Sequence, residues 1–287
     1  MNAFSRLWPV LGSAFGLQAA MAAIFVPQAN EKYYDLSGAM GFLSTTFVSL
    51  YYPALKAKLW EGQNVPLPSF SSFAPRQLLL SAALGIWTIR LGSFLAQRAI
   101  KAGGDTRFDG IKQDPVKFTS LWVAQATWVF FVGLPVYLSN ILPSHLHPAL
   151  SMRDYAAVGL YAGSLIFEVI ADRQKSAWRH AKETKQHDEK FITTGLWSLS
   201  RHPNYVGEVG IWVGIWALSS ASLRTAYFPS GTFAMAAISP FLTYQLLRNF
   251  SGVPPLEMSA EKKFGDDLKW QAYKRNVSVF WPWGPKE

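Results

Sequence analysis

The densest run of chemically capable side chains is Trp197-Ser198-Leu199-Ser200-Arg201-His202-Pro203-Asn204-Tyr205-Val206-Gly207-Glu208. Pro203 disfavours helix at His202 and suits a first helical position, so the spacing predicts a helix that starts at Pro203. Arg201 and His202 would then flank the unpaired N–H groups of its first turn, an arrangement suited to an anion. Asn204 and Tyr205 precede Glu208 by four and three residues, which puts the three polar groups on one helical face. The plainer reading of the same residues is a cap, a snorkelling arginine and a glutamate paired with arginine. Four polar side-chain types at one helix mouth exceed what capping requires.

A second stripe is Glu168, Asp172, Lys175 and Arg179, spaced four, three and four apart and therefore on one side of a helix. It reads either as a ladder of intrahelical ion pairs, each worth about 0.2–0.5 kcal/mol, or as a pair of cations able to clamp a phosphorylated ligand. A third cluster holds Arg90, Arg98, Asp105, Arg107, Phe108 and Asp109. Arg90 lies deep enough in an apolar stretch to want an acidic partner, for which Glu168 and Glu208 are the candidates. Near the C-terminus come Arg248, Asn249, Glu257, Phe264-Gly265, Tyr273 and Arg275, then the aromatic run Phe280-Trp281-Pro282-Trp283, which predicts an ordered tail. Gly210 and Gly214 form a G-x-x-x-G that reads as close helix packing. His145 and His147 lack a third ligand, so no metal site is predicted. No G-x-G-x-x-G follows a strand pattern, which excludes a Rossmann site.

The elements that must position these groups are apolar helices. Of 287 residues, 50% are hydrophobic and only 16% charged, below the roughly one quarter usual for soluble domains. With no cysteine, thiolate metal sites, iron–sulfur clusters and cysteine nucleophiles are excluded. A hydrocarbon core about 30 Å thick needs roughly 20 apolar helical residues. Seven windows answer: 7–26, 36–55, 77–100, 118–142, 155–171, 205–221 and 227–247, the last interrupted by Pro229 and Pro240. The first reads as a retained span, not a cleaved signal. Threading all seven, with Arg98 counted with the segment that follows its span, divides every Lys and Arg but Arg90 20 to 6 between the two sides. That asymmetry predicts an all-α polytopic membrane bundle of about seven transmembrane helices, N-terminus outside or lumenal and C-terminus cytosolic. The net charge of +9 then belongs mostly to one cytosolic face, where it favours anionic membrane lipid over nucleic acid.

Arg90-Leu91-Gly92, Asp105-x-Arg107-Phe108, Glu168-x-x-Ala171-Asp172-x-Gln174-Lys175 and Ser200-Arg-His-Pro-Asn-Tyr-x-Gly-Glu208 together resemble the DUF1295 branch of the steroid 5-alpha-reductase-like membrane proteins, over residues 80–283. The shorter Arg-His-Pro-x-Tyr-x-Gly is shared with isoprenylcysteine carboxyl methyltransferases. The resemblance implies NADPH held among C-terminal helices. By it, Lys175 and Arg179 are phosphate-contacting cations, Trp197 an aromatic wall, and Asn204 with Tyr205 a nicotinamide-side pair. Arg201, His202 and Glu208 belong to the same motif, Tyr273 matches a tail tyrosine near the cofactor, and Arg248 and Glu257 are placed with them. It divides the chain into N-terminal transmembrane helices (1–76) and a reductase-like membrane domain (77–287). It supplies no catalytic residue: the early-helix glutamate and tyrosine of the reductases have no match, Tyr51 and Tyr52 being candidates by position alone.

The leading expectation is therefore a multi-pass membrane reductase that passes hydride from NADPH to a double bond of a lipophilic, sterol-like or enone substrate. The resemblance points to the endoplasmic reticulum in a eukaryote and the inner membrane in a bacterium. Two alternatives stay open: an S-adenosylmethionine-dependent methyltransferase of a lipid or prenylated substrate, and a catalytically silent lipid-binding protein.

Overall fold

The computed structural model describes residues 3–102 and 108–286, with the side chains of 4–95 and 108–286. Asp105 and Arg107 of the third cluster therefore lie outside the described residues, as does the side chain of Arg98. Among the described residues there is no strand. The helices are α1 (Leu7–Phe25), α2 (Tyr34–Leu59), α3 (Pro75–Ala102), α4 (Pro115–Val132), α5 (Leu134–Ile141), α6 (Met152–Glu183), α7 (Pro203–Leu223), α8 (Thr232–Met235), α9 (Ile238–Gln245), α10 (Val253–Phe264) and α11 (Leu268–Asn276).

Prolines and acidic caps set many of these boundaries. Pro75, Pro115 and Pro203 each occupy the first position of a helix, where a missing N–H costs nothing. Asp114 caps α4 by accepting from the N–H groups of Val116 and Lys117, and Asp267 caps α11 through Lys269. Four stretches are long and apolar enough to cross a membrane: Phe4–Phe25, Pro75–Leu95, Met152–Glu183 and Pro203–Leu223. A fifth crossing is available if α4 and α5, bent by 56° at Gly133, count as one broken span. The bend falls where Pro135 enters the first turn of α5 and the Tyr137 ring occupies the space a side chain at Gly133 would need. The window 118–142, continuous in the sequence, is thus two helices. The 26 residues of α2 are long enough to span, but Ser37, Thr45, Thr46 and Ser49 on the buried face give it a polar character, and it is not among the four. The window 227–247 is divided between α8, α9 and the start of a π-helical turn, Leu246–Phe250.

The chain forms two compact units, one of Met1–Asp154 with Ile215–Ser239, the other of Tyr155–Gly214 with Pro240–Glu287. In the first, Leu134, Leu138, Ile141, Leu223 and Phe228 form one apolar cluster, and Ala22, Phe108, Phe118 and Trp122 another. Several of the polar groups buried here are bonded to one another, as a low-dielectric interior favours. The Gln125 amide donates to Gln18 Oε1 and to Ser37 Oγ, both at 3.0 Å, and Gln18 donates to the Ser37 carbonyl at 2.9 Å. Arg76 grips Asp154 through Nε at 3.1 Å and Nη2 at 2.8 Å and donates to the Pro148 carbonyl at 2.7 Å. His147 lies in this unit with its ring nitrogens 3.0 Å from Ser222 Oγ and 3.3 Å from the Leu142 carbonyl.

In the second unit α6 and α7 pack through glycine. A Cβ on Gly207 would meet Glu168 Cβ at 2.7 Å and the Ser164 carbonyl at 2.9 Å, and one on Gly214 would meet the Tyr161 nitrogen at 2.8 Å. Gly210 lies against the Ser164 hydroxyl in the same way. The G-x-x-x-G serves packing, as its spacing predicts. Val209, Val253, Val279 and Phe280 make one cluster of this unit, and Trp270, Tyr273 and Val277 another. The aromatic tail is accordingly built into the unit.

Candidate functional site

All ten residues singled out around the Arg-His-Pro motif fall in the second unit: Lys175, Arg179, Trp197, Arg201, His202, Asn204, Tyr205, Glu208, Arg248 and Tyr273. Lys175 and Arg179 lie on the C-terminal half of α6, on the face that also carries Glu168 and Asp172. Lys175 is attracted by Asp172, one turn back on the same helix, and repelled by Arg179. Lys175 Nζ also sits 4.2 Å above the centre of the Trp197 ring, a cation–π contact that anchors the ammonium.

Trp197 is held from both sides. Its indole N–H donates to the Ala171 carbonyl at 3.1 Å, and its own carbonyl accepts the Tyr273 hydroxyl at 2.6 Å. Gly195, at φ +63°, makes the turn into the short 3-10 helix Gly195–Ser198, and the Gln174 amide fills the place a side chain there would take. Gln174 Oε1 accepts the Leu196 N–H at 2.9 Å. Burial pushes the Tyr273 phenol up from its ordinary value, with Arg201 opposing and Glu257 reinforcing, so the hydroxyl stays a donor at neutral pH.

At the mouth of α7, Arg201 and His202 are buried, and both engage Glu257 of α10. Arg201 Nη2 is 3.1 Å from Glu257 Oε2, and His202 Nε2 is 2.8 Å from Oε1. The Arg201 N–H donates to the Ser278 carbonyl at 2.9 Å, tying the motif to the tail, and the His202 N–H donates to Ser200 Oγ at 3.1 Å. Burial lowers the His202 pKa against the raising influence of Glu257, while Lys175 and Arg201 lower it further. The ring stacks on Tyr205 with centroids 5.5 Å apart and planes 5° from parallel. Asn204 is half-buried in the first turn of α7, and Glu208, one turn deeper, accepts the Trp212 indole N–H at 2.9 Å.

Arg248 lies half-buried in the π-helical turn. A cleft of about 650 Å³, lined by Lys190, Phe191, Thr193, Lys269, Tyr273 and Asn276 among others, opens beside Tyr273, with a Lys190–Asp267 ion pair of 2.7 Å at its wall. That ion pair, with the cap bond from Lys269, lowers the Asp267 pKa. Among the described residues no three His, Asp or Glu groups are placed to hold a metal ion.

Tyr51 and Tyr52 lie on α2, in the first unit, where Tyr51 is buried between Phe47 and Phe73 at 4.7 and 5.1 Å. Arg90 also belongs to the first unit, on α3, whereas Glu168 and Glu208 belong to the second. Gln174 and Ser278 do positioning work that the sequence reading passed over. Gln174 sits inside the quoted Asp172-x-Gln174-Lys175 pattern, a signal that could have found it.

An all-helical chain with several membrane-capable helices and a polar cluster around Arg-His-Pro-Asn-Tyr-x-Gly-Glu is the class of protein so defined. A family model described as "Protein of unknown function (DUF1295)" matches residues 63–277, and the chain belongs to that family. No curated protein and no solved structure matches it.

Proposed function

We propose that this chain is an NADPH-dependent reductase of a lipophilic, sterol-like or enone substrate, embedded in the membrane by seven crossings with its C-terminus in the cytosol. The observation that carries the reading is the set of cations in one unit: Lys175 on the Trp197 ring, Arg179 one turn along, and Arg248. Such cations suit phosphate oxygens, which accept charge-assisted hydrogen bonds from Lys and Arg. NADPH, when bound, would supply hydride to an electron-poor double bond. In this reading Lys175, Arg179 and Arg248 hold phosphates and Trp197 forms a wall that Tyr273 braces. Asn204, Tyr205 and Glu208 orient the nicotinamide end. Arg201 and His202, each engaged by Glu257, act as positioning residues that fix the α7 mouth against the tail. The 20 to 6 division of basic residues supports a cytosolic side for this cluster, where NADPH is available. The membrane is that of the endoplasmic reticulum in a eukaryote or the inner membrane in a bacterium.

An S-adenosylmethionine-dependent methyltransferase would need the α7 mouth to receive a carboxylate, and Glu257 already supplies one to Arg201 and His202. A silent lipid-binding protein would bind neither cofactor. Thermal stabilisation of the purified chain separates the three, because a ligand at 100 times its dissociation constant adds about 2.7 kcal/mol. NADPH is expected to stabilise and S-adenosylmethionine not to. Lys175→Ala and Arg179→Ala should each weaken NADPH binding about tenfold, in line with the loss of one charge-assisted contact. Stabilisation by S-adenosylmethionine alone, or indifference of NADPH binding to both substitutions, would overturn the reading.

A further inference from the structure

Arg224 takes no part in the proposed cofactor site. The stretch Pro203–Leu223 is apolar enough to cross a membrane, and Arg224 follows it directly. A cation one residue past a span lies at the depth of lipid headgroups. The chain then turns through residues 225–231 into α8, and its own hydrogen bonds fix that turn. Thr225 Oγ1 donates to the Ser222 carbonyl at 2.8 Å, the Phe228 N–H to the Thr225 carbonyl at 3.2 Å, and Thr232 Oγ1 to the Pro229 carbonyl at 2.8 Å. Gly231, at φ +91°, supplies the left-handed residue that the entry to α8 requires. The Trp216 indole N–H donates to the Phe233 carbonyl at 2.9 Å and ties α8 to α7.

Between this turn and α8 lies a cavity of about 300 Å³. Leu223, Phe228 and Phe233 form its apolar part, and Thr225 and Ser230 bring hydroxyls. Among the described residues Arg224 is the one charged group of the lining, and residues 215–239 contain no Asp or Glu. The guanidinium carbon sits 4.5 Å from the centre of the Phe233 ring. That ring is itself held by Trp216, stacked on it with centroids 4.5 Å apart and planes 7° from parallel. A cation–π contact fixes the guanidinium in place and leaves its charge whole. Arg224 is exposed, so its N–H donors can meet a ligand. A positioned guanidinium, with no carboxylate in the same cavity, is suited to bidentate contact with phosphate oxygens.

We propose that this cavity binds the headgroup of an anionic phospholipid, with Arg224 and the Ser230 hydroxyl donating to its phosphate and the apolar side of the lining meeting the glycerol end. The volume is at the lower end for a ligand site, room for a headgroup and not for two acyl chains, which stay in the bilayer. A headgroup that carries its own ammonium is selected against, because the lining offers it a cation and no carboxylate. The site lies in the first unit and needs no NADPH, so it stands or falls apart from the proposed reductase activity.

The test uses the purified full chain in detergent without NADPH, with phosphatidylglycerol and phosphatidylcholine probes of identical chains, each carrying a diazirine beside the headgroup. Cross-links to residues 223–234 are counted as each probe is titrated, and phosphatidylglycerol should label them at lower concentration than phosphatidylcholine. Arg224→Gln should weaken phosphatidylglycerol labelling there about tenfold and leave phosphatidylcholine unchanged. Arg153→Gln removes an exposed charge outside the cavity and should change neither. Ala234→Leu, at an exposed position of the lining, fills the cavity and should weaken phosphatidylglycerol with every charge kept. Equal labelling by the two lipids, or equal losses from Arg224→Gln and Arg153→Gln, would overturn the proposal. So would glycerol 3-phosphate competing as well as unlabelled phosphatidylglycerol, which would make the ligand a soluble phosphate ester. If Arg224→Gln does not fold, the comparison of probes and Ala234→Leu decide the question.

Discussion

Glu257 holds two cationic or ionisable groups that are otherwise buried, and this gives it a measurable weight. Glu257→Gln removes the charge opposite Arg201, whose side chain is 2% exposed, and a broken buried pair leaves an ion without its counter-charge. Glu257 itself is partly exposed and water can relax the loss, so the expected cost is on the order of 2 kcal/mol, read as a lowered midpoint in thermal or denaturant unfolding. His147 provides a pH signature. Burial lowers its pKa from 6.5 to about 4, the Leu142 carbonyl opposing and the Arg76 charge assisting. The unfolded chain therefore binds more protons than the folded one between those values, and stability rises with pH across that window. The contribution should be complete above about pH 6.5 and disappear progressively as the pH falls toward 4. His147→Gln should flatten the slope of the unfolding midpoint between pH 7 and 4, while a slope equal to that of the parent would show that other groups set it. The residue types near the α7 mouth were legible from the sequence because proline placement and helical periodicity are local. The partner of Arg201 and His202 was not, because Glu257 lies 55 residues beyond His202 and only packing brings it back.

At the level of helices, glycine spacing alone does not identify a contact. Gly12 and Gly16 on α1 repeat the four-residue spacing of Gly210 and Gly214, yet a side chain at either would meet nothing within 4 Å. On α6 and α7 the backbones approach so closely that the Tyr161 nitrogen lies 2.8 Å from where a Cβ of Gly214 would be. Gly214→Val should therefore destabilise by about 1–3 kcal/mol through overpacking, and Gly12→Ala should change stability by less than about 0.5 kcal/mol, both by unfolding in detergent. Equal effects would mean that the α6–α7 approach tolerates a side chain at Gly214. Apolar windows located α1, α3, α6 and α7 well, since hydropathy over 20 residues is a local average. The same average missed the break at Gly133, because Pro135 and the Tyr137 ring act through backbone geometry and not through composition.

For the whole molecule, the testable quantity is which side of the membrane each segment occupies. The chain has no cysteine, so single-cysteine variants report accessibility without background. Seven crossings with the C-terminus in the cytosol predict that Ala226→Cys, exposed after α7, reacts with an impermeant thiol reagent in intact cells or sealed vesicles of native orientation. Lys262→Cys, exposed on α10, should react only after permeabilisation. Labelling of both from one side would require an even number of crossings, or none, between them and reduce the bundle to the four or five spans that length and hydropathy support. By itself the sequence determined that the chain is helical, apolar and asymmetric in charge, that α7 starts at Pro203, and that a family motif surrounds that start. These properties depend on neighbours within a turn or two, or on totals. Tertiary structure alone decided that Lys175 lies on the Trp197 ring, that Glu257 closes on Arg201 and His202, and that the Trp122 N–H is left without an acceptor among the described residues. Each is a meeting or a missed meeting of groups remote along the chain, governed by packing distances of a few ångströms that no local pattern encodes.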